Sequence, residues 1–288
     1  MQLKYNHVLQ GNQKATLFGP LNTALEFMET ELQFTPFQEQ CIELVNDSDS
    51  ACRGRHSLRC AVNHLKKGWA LRGIDDEMAV FRAITAEEEA VSGLFHALKF
   101  RGYKNSNRLK PHDHRHKSAA IPFLQILGFF FEEFSTLQGV EPKLHIKEED
   151  GETRLRIALP MQYQGKELWA YPLPPLNFAI SSDGKSPSFK PQIERFLTDK
   201  NSSDMLTYVR DQANLRNKVL YAGADGFPQI TDVKDSFFEL RRTRVMAMIC
   251  GYLFIQPYGQ RMPFVQNSLD AFLAMLKIVE SEVLHAEL

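Results

Sequence analysis

No two cysteines in this sequence stand in a CxxC pair. The four that occur, Cys41, Cys52, Cys60 and Cys250, are scattered, which argues against a disulfide framework and for a reducing compartment. An excess of positive charge is also missing. The formal net charge is −1, so nucleic-acid binding would have to use a local patch. Long apolar runs are absent too: the most apolar stretch, Ala119 to Phe131, is followed by Glu132 and Glu133 and reads as a buried helix, not a bilayer span. The N-terminal MQLKYNHVLQGNQK has no apolar core of secretory length, and no repeat of solenoid period is visible. Together these absences lead us to expect a cytoplasmic protein with no membrane partner.

What is present is ordinary globular composition, with 43% hydrophobic and 24% charged residues over 288 positions. That length is enough for one large domain or two small ones. NTALEFMETELQF and TPFQEQCIELVND read as short helices, the second with Thr35 as N-cap and Pro36 at the first helical position. From Ser57, the residues Leu58, Val62, Leu65 and Trp69 recur at helical spacing. A longer helix is expected from Asp76 to Phe100, with the stripe Phe81, Ile84, Glu88, Val91, Phe95, Leu98. A loop, RGYKNSNRLKPHDHRHK, then leads into an apolar helix expected to start near Ala120 or Ile121, with Pro122 in its first turn.

Beyond Gly139 the period changes. KLHIKEE and TRLRIAL flank Asp150-Gly151, a hairpin signal, and MQYQGKELWAY suggests a second hairpin. LNFAIS reads as a further strand. Helices return at about Lys190 to Asp199, Ser203 to Leu220, Asp232 to Ile255 and Phe264 to Leu284, the last with Leu269, Phe272, Leu276, Val279 and Val283 in its stripe. The expected fold is therefore mainly α: a helical bundle with a small antiparallel β insertion. Its parts are an N-terminal helical half (1–140), the insertion (141–182) and a C-terminal helical half (183–288) that can form one domain with the first.

Candidate chemistry concentrates in RLKPHDHRHK. In an extended segment His112, His114 and His116 would point to one side and suit a transition metal, but Arg115 and Lys117 oppose a cation. Alternatively, Arg108, Lys110, Arg115 and Lys117 lie just before a helix N-terminus and form a phosphate site. The plainest alternative is a solvated loop paired with an acid such as Glu87 or Glu89. In TAEEEA, Glu87 and Glu89 read as solvent-facing, whereas Glu88 interrupts the apolar stripe and needs a partner. In LRNKVLYAGADGFP, Arg216 shares a face with Leu206, Val209, Ala213 and Leu220 and needs a carboxylate or phosphate. A buried Glu88–Arg216 pair with Tyr221 as third member is expected. Arg241, Arg242 and Arg244 in ELRRTRVMAM form either a solvated face or a second phosphate-contacting patch.

Between residues 56 and 135 the helical pair in ALRGIDDEMAVFRAITAEEEA, a double-glutamate helix after a shorter one, resembles the higher-eukaryote-and-prokaryote nucleotide-binding (HEPN) proteins and the V-type abortive-infection proteins of bacteria. HEPN ribonucleases carry an arginine followed four to six residues later by histidine. The resemblance implies that histidine moves a proton at the ribose 2′-hydroxyl while arginine stabilises the phosphorane, with no metal or other cofactor. Arg59 with His64 and Arg108 with His114 satisfy the spacing. The first pair would lie about 140° apart on a straight helix, so Arg108 and His114 are the preferred catalytic pair. Arg216-Asn217 followed by Tyr221 resembles a variant with tyrosine in place of histidine. Three functions follow as expectations. The first is an RNA- or nucleotide-binding protein of bacterial defence that cleaves RNA without metal. The second is a non-catalytic subunit that docks a protein partner or a second copy. The third is a metal-dependent enzyme built on the histidine cluster.

Overall fold

A computed structural model describes residues 31–149, 151–179, 189–200, 205–221, 226 and 230–286. Among them are the helices α1 (Pro36–Asp47), α2 (Gly54–Ala70), α3 (Asp76–Phe100), α4 (His114–Gln138), α5 (Lys190–Asp199), α6 (Met205–Leu220), α7 (Asp235–Ile255) and α8 (Pro263–Ala286). Three strands, β1 (Lys143–Glu149), β2 (Glu152–Tyr163) and β3 (Lys166–Ala170), lie between α4 and α5. The protein is mainly α with a small antiparallel sheet. Most of the first expected helix, and Ser203, Gly223 and Pro228, fall outside the described residues. No described helix is long and apolar enough to cross a membrane.

Local chemistry explains the helix starts. Thr35 and Gln38 form a reciprocal capping box, with the Gln38 N–H donating to Thr35 Oγ1 at 3.3 Å and the Thr35 N–H to Gln38 Oε1 at 3.0 Å. Asp75 caps α3 by accepting from the Met78 N–H at 2.9 Å, and this fixes the helix at the expected residues. Helix α2 begins at Gly54, three residues before the expected start. The reason is packing. A Cβ on Gly54 would sit 2.5 Å from the Gly93 carbonyl oxygen, and one on Gly93 would sit 2.7 Å from Leu58 Cγ. These two glycines let α2 and α3 touch backbone to backbone.

Helix α3 is the centre of the bundle, in contact with α2, α4, α6 and α7. Ala79, Ala83, Ala86, Ala90 and Ala97 are fully buried, and their small side chains allow neighbours to approach on several sides. The surrounding core includes Leu58, Phe95, Phe238, Ile249 and Tyr252. It runs without a break from the N-terminal helices into α7 and α8 and takes in Leu155 of β2. Leu269, Phe272 and Leu276 of α8 join it.

The sheet is a meander of order β1-β2-β3. Glu149 pairs with Glu152 across the first turn, where Gly151 has φ 75° and Asp150 lies outside the described residues. Gln164 (φ 51°) and Gly165 (φ 73°) make the second turn, both with the positive φ that a two-residue hairpin favours. Ile146, Leu155 and Ile157 share the face that packs on the core. LNFAIS is not a strand over its described part, 176–179; Pro174 and Pro175 immediately before it carry no N–H to donate to a ladder.

Candidate functional site

The segment RLKPHDHRHK is only partly a loop. Helix α4 starts at His114, six residues before the earliest expected start, because Asp113 caps it by accepting from the Arg115 N–H at 2.9 Å. Pro122 consequently lies inside the helix and leaves the Ser118 carbonyl without its helical N–H donor. The helical first turn also separates the histidines. His112 is exposed before the cap, His116 is buried, and His114 is half-exposed beside α3. At 100° per residue His114 and His116 project in opposing directions, so the three imidazoles do not converge. Among the described residues no group of three His, Cys, Asp or Glu side chains is arranged to hold a metal ion.

The same geometry assembles something else. Glu88 Oε1 accepts from His114 Nδ1 at 2.8 Å, and Glu88 Oε2 lies 3.1 Å from Lys117 Nζ and 3.4 Å from Arg216 Nη1. Glu88 and Lys117 are both buried, while the His114 side chain is 45% exposed. Arg216 also lies with its guanidinium carbon 4.8 Å from the centre of the Phe81 ring. Tyr221 is 66% exposed and is not a member of this buried set; Lys117 and His114 take the place expected for it.

Glu87, expected at the surface, is buried and forms the second half of the site. It accepts hydrogen bonds from Arg241 and, at 3.1 Å, from Arg244 Nη1. Arg241 is itself buried, its guanidinium carbon 4.9 Å from the Phe237 ring centre. The basic cluster of α7 is thus divided: Arg241 and Arg244 face α3, whereas Arg242 donates to the Gln33 carbonyl. Arg108 and Lys110 are exposed outside this set, and Arg115 lies 3.7 Å from its own cap Asp113. No hydrogen bond or ion pair links Arg108 to Glu88 or His114 among the described residues.

Between these charges is a small recess, with about 30 Å³ of space open to water, lined by α3, α4, α6 and α7. Glu87, Glu88, Lys117, Arg241 and Arg244 supply its charges, and Ile84, Ile121, Pro122 and Leu215 its apolar walls. Tyr208 and Gln212, which have no sequence pattern to mark them, line it from α6. Burial raises the Tyr208 pKa against the opposing pull of Arg244 and Arg241. Glu87 and Glu88 together meet four cations, Lys117, Arg241 and Arg244 in the lining and Arg216 outside it; His114, also bound to Glu88, is likewise outside the lining. The surplus is two positive charges before His114 is counted. The Nε atoms of Arg241 and Arg216 are buried without a hydrogen-bond partner among the described residues. Such a set can hold an anion, and a histidine with Nδ1 fixed on a carboxylate can exchange a proton through Nε2.

Compared with known protein families, curated proteins and solved structures, the chain has no match.

Proposed function

We propose that the cation cluster around Glu87 and Glu88 binds the phosphate of RNA or a nucleotide, and that the chain is a HEPN-like ribonuclease that needs no metal. The observation that carries this is the pairing of His114 with buried Glu88 beside a cluster rich in uncompensated cations. In the proposed reaction His114 Nε2 accepts the proton of a ribose 2′-hydroxyl. The 2′-oxygen attacks the adjacent phosphorus, the bond to the 5′-oxygen breaks, and the imidazolium returns a proton to that leaving oxygen. The products carry a 2′,3′-cyclic phosphate and a 5′-hydroxyl. Lys117 and Arg216, already gathered at Glu88, stabilise the extra charge of the phosphorane. Arg108, exposed on the 3-10 turn Ser106–Arg108, has less claim to that role than its spacing suggests. A part in bacterial defence remains an expectation of the resemblance.

The test is incubation of purified protein with unstructured RNA, with and without chelator. Cleavage that survives chelation, leaves cyclic-phosphate ends and disappears in His114→Ala is the expected result. Chelator-sensitive cleavage would favour a metal enzyme instead. Absence of both binding and cleavage would favour a docking subunit, for which Leu144, Met161, Tyr163 and Leu168 speak, left exposed where the core-facing side of the sheet runs out beyond the core.

A further inference from the structure

The opposite face of the sheet has a different character. Arg156, Ala158 and Pro160 alternate along β2, opposite His145 and Lys143 of β1 and Trp169 of β3. Ala158 is fully buried, and Arg156 beside it is buried too, donating to the Tyr258 hydroxyl at 2.8 Å, so the open part of this face is the ring group. The His145 and Trp169 rings meet there with centroids 5.4 Å apart, and the Tyr171 ring lies 5.9 Å from His145. A hydrogen bond of 3.0 Å between His145 Nδ1 and the Tyr171 hydroxyl fixes the group. Lys143 Nζ stands 5.1 Å from the Trp169 ring centre and Lys147 Nζ 3.9 Å from that of Tyr171. Trp169 and Tyr171 remain partly open to solvent and Lys143 is exposed. Three acids share this face: Glu149, 3.3 Å from Lys147 and 2.7 Å from Arg156, Glu152, paired with Arg154, and Glu167, exposed on β3. Arg156 foremost, and Lys147, hold the Glu149 carboxyl below the ordinary pKa.

From this juxtaposition we infer that the β1–β3 face is a binding platform for single-stranded nucleic acid, separate from the recess. A flat base stacks on an aromatic ring whatever its identity, and flanking lysines take the phosphates. Here each lysine already lies over a ring. A base settling on Trp169 displaces Lys143 toward the backbone phosphate, so the same movement supplies both contacts. An acidic peptide would use the lysines but leave the rings idle, and the ring cluster is the more constructed feature. The inference goes beyond cleavage at His114 and holds whether or not that residue is catalytic.

The experiment titrates the full chain with a labelled oligouridylate of about twelve nucleotides, within the site sizes typical of such platforms. Anisotropy and tryptophan emission are followed together. Trp69 is buried in the helical core, so quenching by the oligonucleotide reports Trp169. Expected results are quenching on binding, affinity lower by about tenfold or more in Trp169→Ala, and near-normal affinity without the quenching in Trp169→Phe. Lys143→Ala with Lys147→Ala should reduce the slope of log affinity against log salt by about 1.4, since each phosphate contact on a single strand contributes about 0.7. Far-UV circular dichroism and thermal melting confirm that each variant is folded. Unchanged affinity, quenching and salt slope in these folded variants would overturn the platform. Equal binding of polyglutamate would overturn it too, since that ligand offers no bases to stack. Quenching without any cleavage would retain the platform and remove the ribonuclease.

Discussion

Arg216 and Glu88 are 128 positions apart in the chain and meet at 3.4 Å, joining α6 to α3. The same carboxylate also holds Lys117 and His114. Glu88 is thus the hub of the set, and Arg216 one of its spokes. Glu88→Gln leaves buried Lys117 without its counter-charge and should destabilise by about 3–5 kcal/mol, the usual cost of breaking a buried pair. Arg216 is about a third exposed, so solvent offsets part of its loss and Arg216→Met should cost clearly less. The double variant should be less destabilised than the sum, because the two side chains share one interaction. Urea denaturation of the four proteins measures all three terms.

The cap of α4 gives a second prediction. Asp113→Ala removes the acceptor for the Arg115 N–H and should cost about 1 kcal/mol, whereas Asp113→Asn preserves the cap and stays near the parent. Burial works against ionisation of Asp113. The Arg115 N–H, together with the charges of His116 and Arg115, outweighs it and lowers the pKa. A carboxylate stabilised in this way is lost as pH falls through its folded pKa. Asp113→Asn should therefore lose less stability than the parent below pH about 4. Thermal melting across the acid range reads this difference.

Histidines set a window at higher pH. Burial lowers the pKa of His64, reinforced by Arg82, Lys67 and Arg216, and burial with Lys99, Arg53 and His112 does the same for His96. The unfolded chain binds protons at these positions more readily than the folded one. Stability should therefore fall as pH drops below about 6.5 and level off once the folded imidazoles titrate. The double substitution of His64→Gln and His96→Gln should flatten stability between pH 7 and 5. An equally steep decline in that variant would show that other groups govern the window.

Close contact between α2 and α3 yields the fourth. An Ala at Gly54 would push its Cβ against the Gly93 carbonyl, at 2.5 Å, and against Tyr252 at 2.9 Å. Backbone cannot yield there, so Gly54→Ala should destabilise by about 1–3 kcal/mol or more. Gly128 on α4 is exposed and has open space where a Cβ would go. Gly128→Ala should instead stabilise by about 0.5–1 kcal/mol. The opposite signs, measured in the same urea series, separate packing from helix propensity.

The extent of α3 was legible because a cap, an apolar stripe and a basic end coincide in sequence. Glu88 stood out for the same reason: it occupies a stripe position. Glu87 did not, since a helix packed on several sides buries a wider arc than one stripe reveals. The first turn of α4 was hidden by its polarity. His114 to Lys117 read as loop because the partner of His114 and Lys117 is Glu88 on α3, and no local pattern encodes a partner. Tyr208 and Gln212 carry no local signal at all; only the tertiary approach of α6 places them in the recess. The three-histidine geometry weighed as an alternative does not form for a conformational reason, as alternate residues align in a strand and diverge in a helix.

Glu87 and Glu88 are neighbours on one turn of α3, and each gathers side chains from different helices. Glu87 takes Arg241 and Arg244 of α7, and Glu88 takes His114 and Lys117 of α4 with Arg216 of α6. A single helical turn is therefore the joint at which four helices are tied by charge, and whatever displaces it is felt by all of them at once.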